Sequence, residues 1–259
     1  MQKIKIHPTA IIDKRAKISD EVEVGPYAII GPNVKVDKGT KIGAFCVLDG
    51  YTEIGENCQI FSNAVVGTIP QDLKFKGEKT SLKIGSNNII REFVTINTGT
   101  TEGGKTSIGD NNLFMAYSHI AHDCKVGNNC IVANNGTLAG FVTLEDRAVI
   151  GGLSAVHQYA RVGTLSIIGG CSKVVQDIPP YSTCDGHPAK VYGLNLVGLK
   201  RAGIPKDVIL NLKHAFKFLF FSQLTIKHAV EKIQKEITGC KEVTNLVKFV
   251  ISSERGICR

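Results

Sequence analysis

Two histidines and an aspartate crowd one short segment, His119-Ile-Ala-His122-Asp123. Histidine is the side chain best suited to proton transfer near neutral pH, and an adjacent carboxylate orients or polarises it. Taken alone, His122 reads as a harmless histidine on an exposed face. Spacing argues otherwise. Eighteen residues beyond His122 stands Gly140, and eighteen beyond that stands Gln158. In a chain that coils once every eighteen residues, those three share one edge. They supply a proton acceptor, an open backbone N–H and an amide. These are the parts of an acyl-transfer site: base, oxyanion donor and substrate-positioning group. His157 lies beside Gln158 on the same stack and joins it as a candidate substrate contact.

The coil that must position them is written as a six-residue period. Every sixth position from Ile6 to Val174 is large and apolar in 26 of 29 cases, the exceptions being Asp72, Glu78 and Glu102. One place later stands a recurrent glycine, such as Gly25, Gly43, Gly127 and Gly151. Four places later stands a small or β-branched residue, such as Ala28, Cys46 and Ala64. Six fits neither a helix nor a lone alternating strand; it fits a short strand plus a tight turn, repeated. Small residues fill an inner corner, and glycine is expected to permit the turn. Three hexads per triangular coil predict a parallel β-helix of about nine coils, roughly 40 Å long at the spacing of stacked strands.

Two stretches leave the lattice, and repeat proteins add function where they bulge. The first, near 68–82, mixes Asp72 and Lys74 with Leu73 and Phe75 and is expected to be a folded, contacting loop. The second, near 99–107, is rich in Gly and Thr and reads equally as a tolerated surface insertion. Helical sequence follows Gly186-His-Pro188. A short helix is predicted over Leu194–Ala202, one from Pro205 at its first position to about Ser222, and two more over Thr225–Thr238 and Lys241–Ser253. The expected organisation is mainly β: a β-helix over 1–189 and a helical C-terminal domain over 190–259.

Charge divides along the same line. From Lys190 to Arg259 there are 13 basic and 5 acidic residues, whereas the first 189 hold 18 of each. A neutral body thus carries a cationic module, which points to an acidic or phosphorylated partner. Nucleic acid is not expected, since there is no Trp, no Cys/His finger spacing and no RNP-like aromatic cluster. No apolar run approaches a membrane span, and Met1–His7 lacks a signal-peptide layout. Eight cysteines without a CxxC pair read as reduced thiols of a cytoplasmic protein.

These residues resemble a known family over essentially the whole chain, the UDP-N-acetylglucosamine O-acyltransferases that begin lipid A biosynthesis. The likeness lies in the hexapeptide lattice and in Pro70-Gln-Asp-Leu-Lys74, Arg91-Glu92 with Val94-Thr-Ile96, and Ala121-His-Asp-Cys124. It continues through Leu138-Ala-Gly140, Val156-His-Gln158, Gly169-Gly-Cys-Ser172, Gln176-Asp-Ile-Pro-Pro-Tyr181 and Gly198-Leu-Lys-Arg201. The resemblance implies a left-handed parallel β-helix, an exception to right-handed crossovers, working as a cytoplasmic homotrimer with active sites between subunits.

It also implies transfer of a fatty acyl, 3-hydroxyacyl group from acyl carrier protein to the 3-hydroxyl of UDP-N-acetylglucosamine, with no metal and no bound cofactor. His122 becomes the general base, Asp123 its support and the Gly140 N–H the oxyanion donor. Asp72, Lys74, His119, Gln158, Asn195 and Arg201 become sugar-nucleotide contacts, some from a neighbouring subunit. Gly170 matches an acyl-chain ruler, where a glycine leaves room for a long chain on the order of 14 carbons.

Three positions depart from that pattern. Phe141 and Asn97 each replace a histidine, and Ala202 replaces a second arginine. Loss of a polar contact near the sugar leaves N-acylation of a 3-amino sugar nucleotide as the alternative acceptor chemistry. The related N-acyltransferase of the same pathway carries a uridine-binding domain before its repeats, whereas here the lattice starts at Ile6. A zinc hydratase is the metal-dependent rival, because histidines on neighbouring coils can bind zinc. The left-handed-helix carbonic anhydrases, however, use His-x4-His, not the His119-x2-His122 found here. A non-catalytic repeat scaffold would leave the aligned His122, Gly140 and Gln158 unexplained.

Overall fold

The computed structural model describes residues 5–259; Met1 to Ile4, on which part of the signal-peptide reading rests, lie outside the described residues. Most strands of the coil are two residues long, and successive strands pass in turn to three sheets of 11, 9 and 8 strands, all paired in parallel except the last strand of the largest. The register repeats at eighteen residues: Ile6 pairs with Val24, Val24 with Ile42, and Ile120 with Leu138. From Val24 onward the lattice aliphatics point inward and are almost wholly buried, as are the small residues of the inner corner, among them Ala28, Cys46, Cys124 and Ala160; at the open first coil Ile6 is exposed.

The two departures are insertions in whole hexads. Ile60 pairs with Ile90, so that coil holds thirty residues; Ile90 pairs with Phe114, so the next holds twenty-four. This is why the phase survives them, and why Asp72, Glu78 and Glu102 are the three broken positions.

The structure corrects the role expected of the recurrent glycine. The left-handed turn residue is not the glycine but the residue two places beyond it, and that residue is rarely glycine: Tyr27, Phe45, Asp123, Phe141 and Tyr159 all have φ between 55° and 67°. The glycine is required by the approach of stacked coils. A Cβ on Gly43 would lie 2.7 Å from the Ser62 nitrogen, and one on Gly151 would lie 2.6 Å from the Gly169 carbonyl carbon. Between these two positions the chain turns the corner. The N–H there takes no part in the coil-to-coil ladder, so proline is accommodated at 8, 26 and 32.

After the last coil the chain forms an antiparallel hairpin, Ser182–Gly186 with Ala189–Leu194. The second strand occupies sequence expected to lead directly into helix, because its pairing lies across the turn at His187–Pro188 rather than in a local period. Four helices follow: α1 (Leu196–Arg201), α2 (Lys206–Phe220), α3 (Ile226–Glu236) and α4 (Lys241–Ile251). Asn195 caps α1 and Thr225 caps α3 through side-chain oxygens. Pro205 stands at the cap of α2, one residue before its expected place.

Leu199, Leu212, Phe216, Leu219, Ile233 and Leu246 form a second core that includes Leu165 and Tyr181 of the coil and hairpin. An ion pair between half-buried Arg161 and buried Asp177 fastens the two parts. Asp177 accepts from Arg161 Nε at 2.9 Å and from Ser253 Oγ at 2.8 Å, while the Arg161 guanidinium lies over the Phe249 ring. No helix among the described residues is long and apolar enough to cross a membrane.

Candidate active site

His122 and Asp123 occupy one corner of the coil that begins with the strand His119–Ile120. Both are nearly buried, at 8 and 9% exposure. His122 Nδ1 lies 3.0 Å from Asp123 Oδ2. A carboxylate only accepts, so Nδ1 carries the proton and Nε2 is left as the basic nitrogen. Asp123 tolerates its left-handed backbone because a short polar side chain suits that conformation.

One coil further on, Gly140 lies directly beneath the imidazole. A Cβ there would lie 2.5 Å from Nε2 and closer still to Cε1, so only glycine lets the ring lie flat along the backbone. Among the described residues the Gly140 N–H makes no hydrogen bond, being one of the corner N–H groups the ladder leaves unused. A basic ring nitrogen and an unused N–H donor therefore sit side by side, an arrangement able to serve acyl transfer.

His119 is hydrogen-bonded through Nδ1 to Thr95 Oγ1 at 2.7 Å. Burial, with the His122 charge beside it, holds its imidazole below the ordinary 6.5. Unfolded, the ring takes its proton near 6.5; folded, it does so only at lower pH. Between those values the unfolded chain binds more protons. The ring's contribution to stability is thus complete above about pH 6.5 and is lost as pH falls through the folded value. Thermal unfolding should therefore show a midpoint that drops below pH 6.5, with a smaller drop in His119→Gln. Equal drops would remove His119 as the cause.

The other residues singled out by sequence are dispersed over a single chain. Gln158 follows Gly140 by one coil, where the Tyr159 N–H donates to the Gly140 carbonyl at 3.1 Å. His157 turns toward the C-terminus, its Nδ1 lying 3.3 Å from Arg255 Nη2 and 3.1 Å from the Gln158 carbonyl oxygen. Asp72 and Lys74 lie in the first insertion, where Asp72 Oδ1 accepts from the Lys74 N–H. Leu73 and Ile69 of that loop are exposed rather than packed, so in one chain the loop folds on itself without covering its apolar residues. Asn195 is buried, with both polar groups used: Nδ2 donates to the Leu165 carbonyl and Oδ1 caps α1. Arg201 is exposed at the end of α1. Gly170 belongs to another corner, where an added Cβ would meet only the Gly152 carbonyl oxygen, at 3.3 Å.

Of the three departures, Phe141 sets its ring edge-on to His122, with centroids 5.3 Å apart, and stacks on Tyr159. Asn97 is buried at the base of the first insertion, its Nδ2 donating to the Ile69 carbonyl at 3.0 Å. Ala202 is the C-cap of α1. Among the described residues, no three His, Cys, Asp or Glu are placed to hold a metal ion.

Residues 177–258 match the family described as UDP-N-acetylglucosamine O-acyltransferase, domain 2, and residues 105–140 match the bacterial transferase hexapeptide repeats. The acyl-[acyl-carrier-protein]--UDP-N-acetylglucosamine O-acyltransferase of Thermodesulfovibrio yellowstonii is 52% identical, over 98% of this chain and 99% of that protein. The chain belongs to the UDP-N-acetylglucosamine O-acyltransferase family. The acyltransferase of the same description from Aliarcobacter butzleri is 49% identical over 97% of each chain. The solved structure of LpxA from Acinetobacter baumannii superposes with a TM-score of 0.95 at 44% identity, over 98% of this chain and 99% of that one. Like other UDP-N-acetylglucosamine O-acyltransferases, the molecule is a left-handed parallel β-helix followed by a helical C-terminal region.

Sequence reasoning missed Thr100 and Thr106. Both hydroxyls touch Asp123: Thr100 Oγ1 donates to its carboxylate at 2.6 Å and Thr106 Oγ1 accepts from its N–H at 2.8 Å. Thr106 holds an inner-corner position of the lattice and was legible as such, though not as a partner of Asp123. Thr100 belongs to the insertion, and no periodicity marks it.

Proposed function

We propose that the chain transfers a 3-hydroxyacyl group from acyl carrier protein to the 3-hydroxyl of UDP-N-acetylglucosamine, the first step of lipid A biosynthesis. One observation carries the mechanism: in a chain of this family, His122 is bound to Asp123 and laid along Gly140. His122 Nε2 takes the proton of the sugar hydroxyl as its oxygen attacks the thioester carbonyl. The oxyanion of the tetrahedral intermediate forms beside the Gly140 N–H, which stabilises it. Collapse expels the carrier's thiolate, which recovers the proton from His122. Asp123 keeps the imidazole in the productive tautomer and supports its positive charge.

His119 and Gln158 flank this edge as substrate contacts, with His157 beside them. Asp72, Lys74 and Arg201 complete the nucleotide site from elsewhere, some from a second copy, and Asn195 joins them through the amide hydrogen and lone pair that its bonds to Leu165 and Gly198 leave over. The exposed Leu73 and Ile69 support that assembly, because an apolar loop tip stays wet until another chain covers it. A homotrimer, cytoplasmic as such a carrier requires, is the assembly we propose. Gly170 is assigned to the end of the acyl chain. The division into a catalytic coil over 1–189 and a docking module over 190–259 belongs to the same proposal.

The helical module is assigned to the carrier. Lys206, Leu210, Lys213 and Lys217 recur at helical spacing on α2, all four exposed, and none of the lysines is paired with a carboxylate among the described residues. An apolar residue within a cationic stripe suits an acidic protein that must dock and leave. Reversing the three lysines to glutamate should raise the KM for the carrier severalfold and flatten its salt dependence, leaving KM for the nucleotide unchanged. An unchanged carrier KM would assign that charge elsewhere.

The function is tested by incubating the protein with UDP-N-acetylglucosamine and carrier proteins loaded with saturated and 3-hydroxy chains. Mass spectrometry should find the nucleotide heavier by one acyl group. A nucleotide left unmodified by every carrier would sink the reading.

A further inference from the structure

We propose that Thr100 is a positioning residue of this reaction: it locks the Asp123 carboxylate against His122, and the insertion near 99–107 serves to carry it. The proposal rests on the reading of His122 as the base. Asp123 Oδ2 receives three donors: His122 Nδ1 at 3.0 Å, the Thr100 N–H at 3.0 Å and Thr100 Oγ1 at 2.6 Å. Thr100 is itself buried, at 8% exposure. The other carboxylate oxygen is enclosed by the same loop, since a Cβ on Gly99 would lie 2.7 Å from Oδ1 and one on Gly104 would lie 3.0 Å from it.

An aspartate carboxylate turns easily, because its terminal torsion is broad and two-fold. A lone contact with the imidazole would therefore leave the acceptor free to swing. Two neutral donors on one oxygen fix it in the orientation that accepts the Nδ1 proton and aims Nε2. An uninterrupted coil of eighteen residues would have no loop at this place; the six added residues supply both donors.

The loop is held in turn by the return leg of the first insertion. Glu102 Oε2 accepts from the Lys79 N–H at 3.0 Å, the Gly103 N–H donates to the Lys79 carbonyl at 3.0 Å, and the Ser81 N–H donates to the Gly104 carbonyl at 3.0 Å. The two insertions thus form one frame. One end carries Asp72 and Lys74, and the other carries the hydroxyl on Asp123.

The test is a double-mutant cycle in the acyl-transfer assay. Thr100→Val keeps the volume and the N–H but removes the hydroxyl. The loss of one hydrogen bond to a charged group should lower kcat roughly tenfold to a hundredfold. KM for the nucleotide and the thermal midpoint should hold, and Thr100→Ser should restore most of the rate. In an Asp123→Ala background, Thr100→Val should cost nothing further, because nothing remains for it to hold. An equal loss in both backgrounds, or no loss at all, would overturn the proposal.

A second readout does not depend on turnover. The Nδ1 proton of His122, observed by NMR of histidine-labelled protein without substrate, should exchange slowly in the wild type and Thr100→Ser and quickly in Thr100→Val. Identical exchange in all three would refute the positioning role. A wild-type protein without turnover would instead overturn the proposed function, and the NMR comparison would still decide the role of Thr100.

Discussion

Replacing His122 with alanine should leave a folded, assembled protein whose acyl transfer has fallen roughly a hundredfold to ten-thousandfold, the range supplied by a positioned general base. The separation of folding from rate follows from where the ring lies. It rests on a corner of the coil and is absent from the interior aliphatic stack, where Ile120 and Leu138 carry the packing. Its removal leaves Asp123 with both Thr100 donors, so the buried carboxylate is still satisfied. Turnover measured beside the thermal midpoint and the assembled mass decides the matter. Full activity would remove His122 from the mechanism, and an unfolded variant would show that the corner depends on the ring.

Gly140→Ala should have an effect nearly as large with a smaller change in atoms. The residue lies outside the left-handed region, so alanine meets no backbone penalty. The three atoms nearest the added methyl all belong to the imidazole, with Nε2 at 2.5 Å and Nδ1 at 2.9 Å. The ring must move away from Asp123 or tilt off the backbone. A displacement of about 1 Å at a reacting group can cost on the order of a hundredfold in rate. The expected result is therefore a drop of that size in kcat, with KM for the nucleotide little changed and the N–H still present. Wild-type turnover would mean that the ring has a second productive place. It would also separate the need for glycine from the need for its N–H.

Much of this architecture is legible in the residues because the coil repeats one physical requirement. Each inward position must be apolar, each inner corner small, and each close approach free of a Cβ. Insertions in whole hexads preserve the phase, so even the broken positions mark the loops. The alignment of the candidate edge was legible for the same reason, since eighteen-residue arithmetic places His122, Gly140 and Gln158 on successive coils.

What stayed hidden depends on contacts that no period encodes. The glycines were legible as glycines but not as sites of coil contact, because a turn and a close approach leave the same residue behind. The strand Ala189–Leu194 pairs across a reversal, and its residues alone do not announce it. Thr100 is an ordinary threonine in a Gly- and Thr-rich loop, and its partner Asp123 lies 23 residues away. Leu73 was expected to pack, yet it is exposed in one chain. The contact expected of it is not made within one chain.

The central claim is that the base faces a hydroxyl acceptor. It is tested most directly by offering the wild-type protein UDP-N-acetylglucosamine and its 3-amino analogue together, with acyl carrier protein as donor. The linkage formed is then read by mass spectrometry before and after mild alkali. The account predicts acylated UDP-N-acetylglucosamine carrying an alkali-labile ester, absent when His122→Ala replaces the wild type. Acylation confined to the amino analogue, as an alkali-stable amide, would contradict it.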